Sequence, residues 1–340
     1  MPHPTPSSPL PRLALLALAL GSATRAAAQQ RASPAPCPDT AALAPSREWY
    51  LESDDKRAYL DIREVGAGAP VVVIHGGPGA GNRYLLGLAR GLDRDFRFVF
   101  YDQRGAGLSM AARRNISMPL NVQDLETIRQ ALGLDRLTIV SHSAGTYLAM
   151  EYLRTHPDRV GNIVLVGATD PINGKKEYFS DEETARYAKL PEVVAQFSAR
   201  PAVQAEIRRA GLDRDSLTAQ QRHDLWRIRQ SAGSLYHIER WRENPFIMIR
   251  ADGAQGARDG MNFDYNWAPM LAQHPHAITV INGRYDYQVG VEGSPIWARV
   301  VARDARNVKL VVLDEAGHSP WIDQPVEFRR IMRDALTRRR

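Results

Sequence analysis

The stretch Leu137-Thr138-Ile139-Val140-Ser141-His142-Ser143-Ala144-Gly145 decides how this chain folds. Its first four residues predict a buried strand, and Thr146–Arg154, which follow it, have the pattern of a helix. A serine between a strand and a helix, with small residues two positions before and after it, is typical of a sharp turn that exposes the hydroxyl. The stretch therefore predicts a nucleophile elbow with Ser143 at its tip.

Further apolar runs of strand length lie on both sides of the elbow. They are Val71–Ile74, Phe96–Tyr101, Ile163–Val166, Ala277–Ile281 and Val308–Leu313. Apolar residues at helical spacing in Leu120–Leu132 and Pro325–Leu336 predict helices between and after these strands. Strands that alternate with helices predict an α/β fold with a doubly wound, mostly parallel sheet and right-handed crossovers. Regular structure is expected to begin near Glu48.

Residues 171–270 interrupt the strand pattern with a long, charged and mostly helical segment. We expect this segment to form an inserted cap or lid over the carboxyl ends of the strands, where sites form in open α/β sheets. The core is then predicted to consist of residues 46–170 and 271–340.

The first 28 residues have the pattern of a signal peptide. Arg12 precedes the apolar run Leu13–Leu20, and Ala26-Ala27-Ala28 closes the segment. Because the run is far shorter than the ~20 residues of a spanning helix, we predict export to the periplasm or the exterior rather than a membrane anchor. Residues 29–45, rich in Ala, Pro and Ser, predict a flexible lead-in.

The composition limits the remaining possibilities. Hydrophobic residues make up 44% of the 340, enough for a sizeable core. Cys37 is the only cysteine, so an intramolecular disulfide is excluded. The formal net charge is +6, or +4 once Arg12 and Arg25 of the leader are removed, which is too small to indicate a nucleic-acid partner. The oligomeric state stays open.

Two further residues complete a candidate catalytic set with Ser143. Asp286 follows the predicted strand Ala277–Ile281, and His318 follows Val308–Leu313. A serine hydroxyl needs a base to take its proton, and an imidazole held by a carboxylate serves as that base and then as the acid. The chain order Ser, Asp, His belongs to this kind of elbow. We therefore predict a serine hydrolase that acts through an acyl-enzyme.

Such a reaction also needs rigid backbone N–H donors for the oxyanion. Ala144, directly after the nucleophile, is expected to supply one. Gly77, in the loop His75-Gly76-Gly77-Pro78-Gly79, is predicted to supply the other, because glycine lets the main chain approach a ligand closely. His142 is expected to be structural. No metal ion and no cofactor is expected.

The same loop belongs to a pair of motifs that resembles a known family. His75–Gly79, followed by Asp102-Gln103-Arg104-Gly105-Ala106-Gly107-Leu108-Ser109, looks like the signature pair of the proline iminopeptidase family of α/β-hydrolases. Gly283–Asp286 and Gly317–Ser319 are similar to that family's acid and histidine segments. The resemblance covers about residues 48–170 and 271–338. It implies the α/β-hydrolase fold, a metal-independent serine peptidase that releases N-terminal residues, often proline, and a structural role for Arg104.

The resemblance also implies acids in the lid that pair with the substrate's α-ammonium group, because a buried cation without a partner is costly. Glu243 is the first candidate, followed by Glu239 and Asp264, although a solvated helix face is the competing interpretation for each. The elbow departs from the family, which usually has tryptophan at Ala144 and a glycine pair at Ser141-His142. In this respect it looks more like the elbow of esterases.

Three functions therefore stay open. The leading hypothesis is an exported aminopeptidase, with short peptides or other small molecules as substrates. The second is an esterase or amidase of small apolar acyl substrates, which would need no ammonium-binding acids. The third, a non-catalytic ligand-binding protein on the same fold, is disfavoured by the complete catalytic set. Serine in place of aspartate at the elbow disfavours a dehalogenase or an epoxide hydrolase.

Overall fold

The computed structural model describes residues 43, 45–173, 179–245 and 249–338. The predicted signal peptide, residues 1–28, lies outside the described residues. So do Cys37 and all of the predicted lead-in except residues 43 and 45. Export and cleavage therefore stay predictions.

An eight-stranded sheet lies at the centre of the described structure. Its strands are β1 Arg47–Glu52, β2 Tyr59–Gly66, β3 Ala69–Ile74, β4 Phe96–Tyr101, β5 Leu137–His142, β6 Val160–Val166, β7 Ile278–Gly283 and β8 Val308–Leu313. They lie side by side in the order β1-β2-β4-β3-β5-β6-β7-β8. Strand β2 pairs antiparallel with both β1 and β4, and the other neighbours are parallel. The predicted doubly wound, mostly parallel sheet is confirmed.

The antiparallel pair β1 and β2 has no counterpart among the predicted strands. Every residue of β1 is at least partly exposed, and β2 buries the charged residues Asp61, Arg63 and Glu64. Arg63 donates to Glu48 across the pair, with 2.9 Å between Nε and Oε1. Because ion pairs take the place of apolar residues here, neither strand has the apolar run by which buried strands are recognised.

Helices cover both faces of the sheet. They are α1 Met118–Ala131, α2 Gly145–Thr155, α3 Asp181–Ala188, α4 Leu190–Ser198, α5 Pro201–Arg209, α6 Ala219–Ser231, α7 Ala251–Gly256, α8 Ala268–Gln273, α9 Pro295–Arg303, α10 Pro320–Asp323 and α11 Pro325–Thr337. Short 3-10 helices lie at Arg83–Ala89, Arg113–Asn115, Pro157–Arg159 and Ile238–Glu243. Within the described ranges, no helix has the length and apolar character needed to cross a membrane.

Strand β3 illustrates how the two halves of the core are divided. Val72 and Ile74 pack with α1, α2, α8 and α9 on one face, whereas Val71 and Val73 pack with α10, α11 and the 3-10 helix Arg83–Ala89 on the other. Successive side chains of a strand point to opposite faces. A strand buried on both faces is therefore apolar throughout, which is why its sequence run could be recognised.

The described residues between β6 and β7 form the inserted helical segment that the sequence predicts. Helices α5 and α6 enclose a separate small core with the 3-10 helix Ile238–Glu243. Trp241 is buried at its centre, and its indole N–H donates to Glu206 at 2.8 Å. This segment, called the lid below, thus has its own hydrophobic core. The precise predicted boundaries, 171–270, stay a prediction.

Arg104, in the loop after β4, connects that loop to α1, to the turn between β1 and β2 and to the 3-10 helix Arg113–Asn115. Its guanidinium donates to both oxygens of Asp124, at 2.5 and 2.7 Å, and to Asp55 and the backbone carbonyl of Asn115, both at 3.0 Å. The side chains of Arg104 and Asp124 are fully buried. Through these contacts Arg104 holds separate segments of the chain together, which is the kind of structural role that the resemblance implies.

Replacing Arg104 by alanine is expected to destabilise the fold strongly. The change leaves the Asp124 carboxylate buried without its cation, which typically costs about 3–5 kcal/mol. Urea unfolding of Arg104→Ala measures the loss, with Arg154→Ala as control. Arg154 pairs with Glu151 on the surface, where such pairs contribute roughly 0–1 kcal/mol. Equal losses in the two variants would contradict the role given to Arg104.

Candidate active site

Ser143 lies in the turn between β5, which ends at His142, and α2, which begins at Gly145. Its φ is +54°, in the left-handed region that costs a non-glycine residue about 1–2 kcal/mol. The Ser143 N–H donates to the carbonyl of Val166 at 3.0 Å, and its carbonyl accepts from Thr146 at 2.9 Å. Such strain persists only where the surrounding structure holds it, and it is concentrated at functional sites.

The residues around Ser143 are packed too closely for larger side chains. A Cβ at Gly145 would lie 2.8 Å from the carbonyl oxygen of His75 and 2.9 Å from that of Ile74. Ser141, the other small residue of the elbow, is completely buried. The elbow thus accommodates a serine side chain where glycine is usual, while Gly145 has no space for one.

Asp286 and His318 meet at the carboxyl ends of β7 and β8. The His318 Nδ1 lies 2.8 and 2.9 Å from the two carboxylate oxygens of Asp286, and both side chains are buried. Because the carboxylate only accepts, the proton of the neutral imidazole resides on Nδ1. Nε2 is then left as the acceptor that a general base requires.

The backbone around His318 is tied to the lid. The His318 N–H donates to the carbonyl of Ser234 at 2.7 Å. The Asp323 carboxylate accepts from the N–H of Gly317 at 2.8 Å and from that of Tyr236 at 3.1 Å. Burial raises the pKa of Asp323, although these donors favour its ionised form. The imidazole is therefore positioned by the lid as well as by the sheet.

His142, the neighbour of Ser143, has a structural environment. Its Nε2 lies 3.0 Å from the carbonyl of His318, and its Nδ1 lies 2.8 Å from the hydroxyl of Tyr84. That hydroxyl also accepts from the N–H of Gly76 at 2.8 Å. Burial, together with the nearby His318, holds the pKa of His142 well below its usual range. These contacts match the structural role predicted for His142.

The glycine loop passes directly against Ser143. A Cβ at Gly76 would lie 2.6 Å from the Cβ of Ser143, and Gly77, with a φ of +53°, lines the same cavity as Ser143. In the described part of the chain, the N–H groups of Gly77 and Ala144 donate to no protein acceptor. Both can therefore serve an oxyanion, and that role stays a prediction.

The two motifs of the sequence resemblance bind each other. Gln103 donates its backbone N–H to the Nε2 of His75 at 3.0 Å and its side-chain amide to the His75 carbonyl at 2.7 Å. Asp102 accepts from the N–H groups of Asn82 and Leu108, at 2.6 and 2.7 Å. Burial lowers the pKa of His75, which favours the neutral ring that this bond requires. The second motif thus fixes the loop that contains Gly77.

A cavity of about 320 Å³ contains Ser143, His318 and Gly77. The lid contributes much of its lining: Trp226, Arg227, Gln230, Ser231 and Asn244. One nitrogen of Arg227 donates to the backbone carbonyls of Trp241, Arg242 and Asn244, at 3.3, 3.1 and 2.9 Å. None of the described residues that line this cavity is an aspartate or a glutamate.

The three lid acids singled out in the sequence are not part of that lining. Glu243 accepts two hydrogen bonds from Arg240, at 2.6 and 2.8 Å. Glu239 lies 3.2 Å from the Nδ1 of His237, and Asp264 is exposed. Their role in binding a substrate amine stays a prediction. Across the described ranges, no three His, Cys, Asp or Glu side chains are grouped as a metal site requires.

Gly167, at the end of β6, is a site residue that the sequence reasoning missed. Its φ is +54°, and a Cβ there would lie 3.1 Å from the Nδ1 of His318 and 3.2 Å from a carboxylate oxygen of Asp286. A glycine directly after a buried strand was the available signal. Gly167 has no side chain that could take part in catalysis, so a search for catalytic residue types did not identify it.

The fold and this constellation define an α/β-hydrolase, and the comparisons with known proteins agree. The family model described as alpha/beta hydrolase fold matches residues 69–325. The chain therefore belongs to the α/β-hydrolase fold family. A hydrolase of this fold from Bacillus anthracis superposes with a TM-score of 0.61 at 20% identity, covering 86% of this chain and all of the other.

Within that family the chain is similar to proline iminopeptidases. It is 27% identical to the proline iminopeptidase of Heyndrickxia coagulans over 82% of this chain and 94% of the relative. It is 36% identical to that of Xylella fastidiosa strain Temecula1, over 39% of this chain and 43% of the relative. The predicted resemblance to this family is thus confirmed.

Replacing Gly167 by alanine is expected to reduce kcat at least about tenfold, because the new methyl group displaces the Asp286–His318 pair. The matched control is Gly133→Ala. Gly133 has a φ of +64°, but a Cβ there would meet no atom within 4 Å, so it shares the backbone strain without the contact. Steady-state kinetics and thermal unfolding of both variants separate the two effects. A similar kcat in the two variants would refute the role of Gly167 in making room for the Asp286–His318 pair.

Proposed function

We propose that this protein is a serine hydrolase in which Ser143 is the nucleophile, His318 the general base and acid, and Asp286 the group that orients the imidazole. The observation that carries this proposal is the buried Asp286–His318 hydrogen bond beside a serine held at positive φ, with Ser143 and His318 lining one cavity. These groups are of the types that acyl transfer requires, and their chain order is the one that α/β-hydrolases use.

In the proposed reaction, Ser143 Oγ attacks the substrate carbonyl while His318 Nε2 takes the hydroxyl proton. The tetrahedral oxyanion accepts from the N–H groups of Gly77 and Ala144, where one such donor is worth about 10²–10³ in kcat. His318 then gives its proton to the leaving group, and the acyl-enzyme forms. Water repeats the sequence, returning the proton to Ser143 as the acid product leaves.

We infer aminopeptidase activity on short peptides as the leading specificity. The named relatives are proline iminopeptidases, and one of them aligns over most of both chains. The cavity of about 320 Å³ is at the small end of the usual range for ligand sites, which suits a short substrate. An esterase or amidase is the second candidate. It is favoured by a specific observation: the described lining of this cavity carries Arg227 and no carboxylate.

Ser143→Ala is expected to reduce hydrolysis of every substrate at least about a thousandfold, because the acyl-enzyme cannot form. A fluorophosphonate probe followed by peptide mass spectrometry tests the same residue without relying on a substrate. It should label Ser143 in the wild type, and labelling should be absent from Ser143→Ala and retained in Ser198→Ala. Labelling of a different residue would refute the proposal that Ser143 is the nucleophile.

The two specificities are separated by comparing substrates on the wild type. An aminopeptidase hydrolyses the 4-nitroanilides of proline or alanine with a free amine, and it turns over their N-acetylated forms poorly. An esterase hydrolyses 4-nitrophenyl butyrate while leaving the free-amine anilides intact. Values of kcat/KM for these compounds decide between them, and the second result would exclude the aminopeptidase.

A further inference from the structure

Arg227 is the one described residue with a permanently charged side chain in the lining of the cavity that contains Ser143. It lies on α6, and Gln230 and Ser231 of the same helix also line the cavity. Residues three and four positions apart share one face of a helix. The side of α6 towards the cavity thus carries a guanidinium, an amide and a hydroxyl.

Among the described residues, Arg227 has no partner of opposite charge. Only one of its guanidinium nitrogens, Nη2, donates to described protein atoms, and all three acceptors are backbone carbonyls. The guanidinium also lies 5.1 Å from the centre of the Trp241 ring. Carbonyls and an aromatic face hold a guanidinium in place, but they carry no net negative charge. Nε and Nη1 therefore remain as donors for a ligand.

Two other partly buried arginines of the lid show how such a charge is usually accommodated. Arg240 binds the carboxylate of Glu243 through two nitrogens, at 2.6 and 2.8 Å. Arg200 donates through two nitrogens to four backbone carbonyls, and it is not part of the cavity lining. Arg227 differs from both, because it borders the cavity and has donors to spare. A half-buried guanidinium in this position favours an anion.

The size of the cavity limits what that anion can belong to. Its volume of about 320 Å³ must accommodate both the scissile carbonyl beside Ser143 and the group that Arg227 binds. The two groups therefore belong to one short molecule. A carboxylate is the anion that suits such a molecule, since it is compact and forms strong charge-assisted hydrogen bonds with a guanidinium.

We propose that Arg227 binds a free carboxylate of the substrate, so that Ser143 acts on short carboxylated amides or esters. The inference rests on the proposed function of Ser143 and names a substrate class for it. In an aminopeptidase, the carboxylate is the free C-terminus of a dipeptide. In an esterase, it is the distal carboxylate of a dicarboxylic acid half-ester. Both sources have the same chemistry, and the experiment distinguishes them.

Competitive inhibition of 4-nitrophenyl butyrate hydrolysis tests the proposal with two matched pairs of compounds. Alanyl-alanine is compared with alanyl-alaninamide, and monomethyl adipate with dimethyl adipate. Within each pair only the first compound has a free carboxylate. In the wild type, at least one carboxylated compound is expected to bind about tenfold or more tightly than its neutral counterpart, since hydrogen bonds to charged groups have this strength. The pair that shows the preference identifies the source of the carboxylate.

The variant Arg227→Gln is expected to lose this preference, measured as the ratio of the two inhibition constants within a pair. The matched control is Arg222→Gln, on the same helix. Arg222 is exposed and donates to the carbonyl of Leu217 at 2.7 Å, so its loss removes an equal charge outside the cavity. The control is expected to retain the preference. A wild type without the preference, or an Arg227→Gln variant that keeps it, would overturn the proposal.

Isothermal titration of the same four compounds into Ser143→Ala protein measures binding without hydrolysis. The carboxylated compound is expected to retain its advantage there, because Arg227 is unchanged. Equal affinities within both pairs would refute the carboxylate site and leave the role of Ser143 untouched. Loss of the hydrolase assignment is seen separately, in the labelling of Ser143, so the two failures are distinguishable.

Discussion

The backbone of Ser143 is the constraint on which the rest of the site depends. A non-glycine residue at positive φ must be held there by its surroundings, and here the holding groups come from neighbouring strands. The carbonyl of Val166 on β6 accepts its N–H, the carbonyls of Ile74 and His75 at the end of β3 lie close to Gly145, and Gly76 lies against Ser143 itself. The strain is thus supported by neighbouring strands within the sheet.

This arrangement explains why the site residues gather although they are far apart in the chain. Strands β3, β5, β6, β7 and β8 are adjacent and parallel, so their carboxyl ends share one edge. Each contributes one residue shortly beyond its end: Gly77, Ser143, Gly167, Asp286 and His318. The sheet order therefore sets the geometry of the site, and the loops supply only its chemistry.

Much of this could be predicted because buried parallel strands are apolar throughout and their ends are therefore visible in the sequence. Ser143, Asp286 and His318 were found as polar residues just after such runs. Strands β1 and β2 could not be found in this way, since Arg63 and its partners replace apolar residues. Gly167 was missed because its contribution is the absence of a side chain, which matters only once the Asp286–His318 pair is seen beside it.

The sequence predicted that the lid is helical, but it did not predict where the acidic side chains of the lid point. Its helical character follows from composition and periodicity, but the direction of each acid depends on how the helices dock. Glu243 pairs with Arg240 three residues earlier, a local contact that the sequence permitted but did not single out.

The bond between the carbonyl of Ser234 and the N–H of His318 joins the lid to the proposed general base through main-chain atoms alone. Lid side chains can differ between homologues without disturbing that bond. A change in the length of the loop around Ser234 would displace the carbonyl and break it. Exchange of lids between hydrolases of this fold would therefore preserve catalysis only where this short loop is transferred unaltered. The lid is a distinct segment of the sequence, but its position on the core is fixed by this contact with His318.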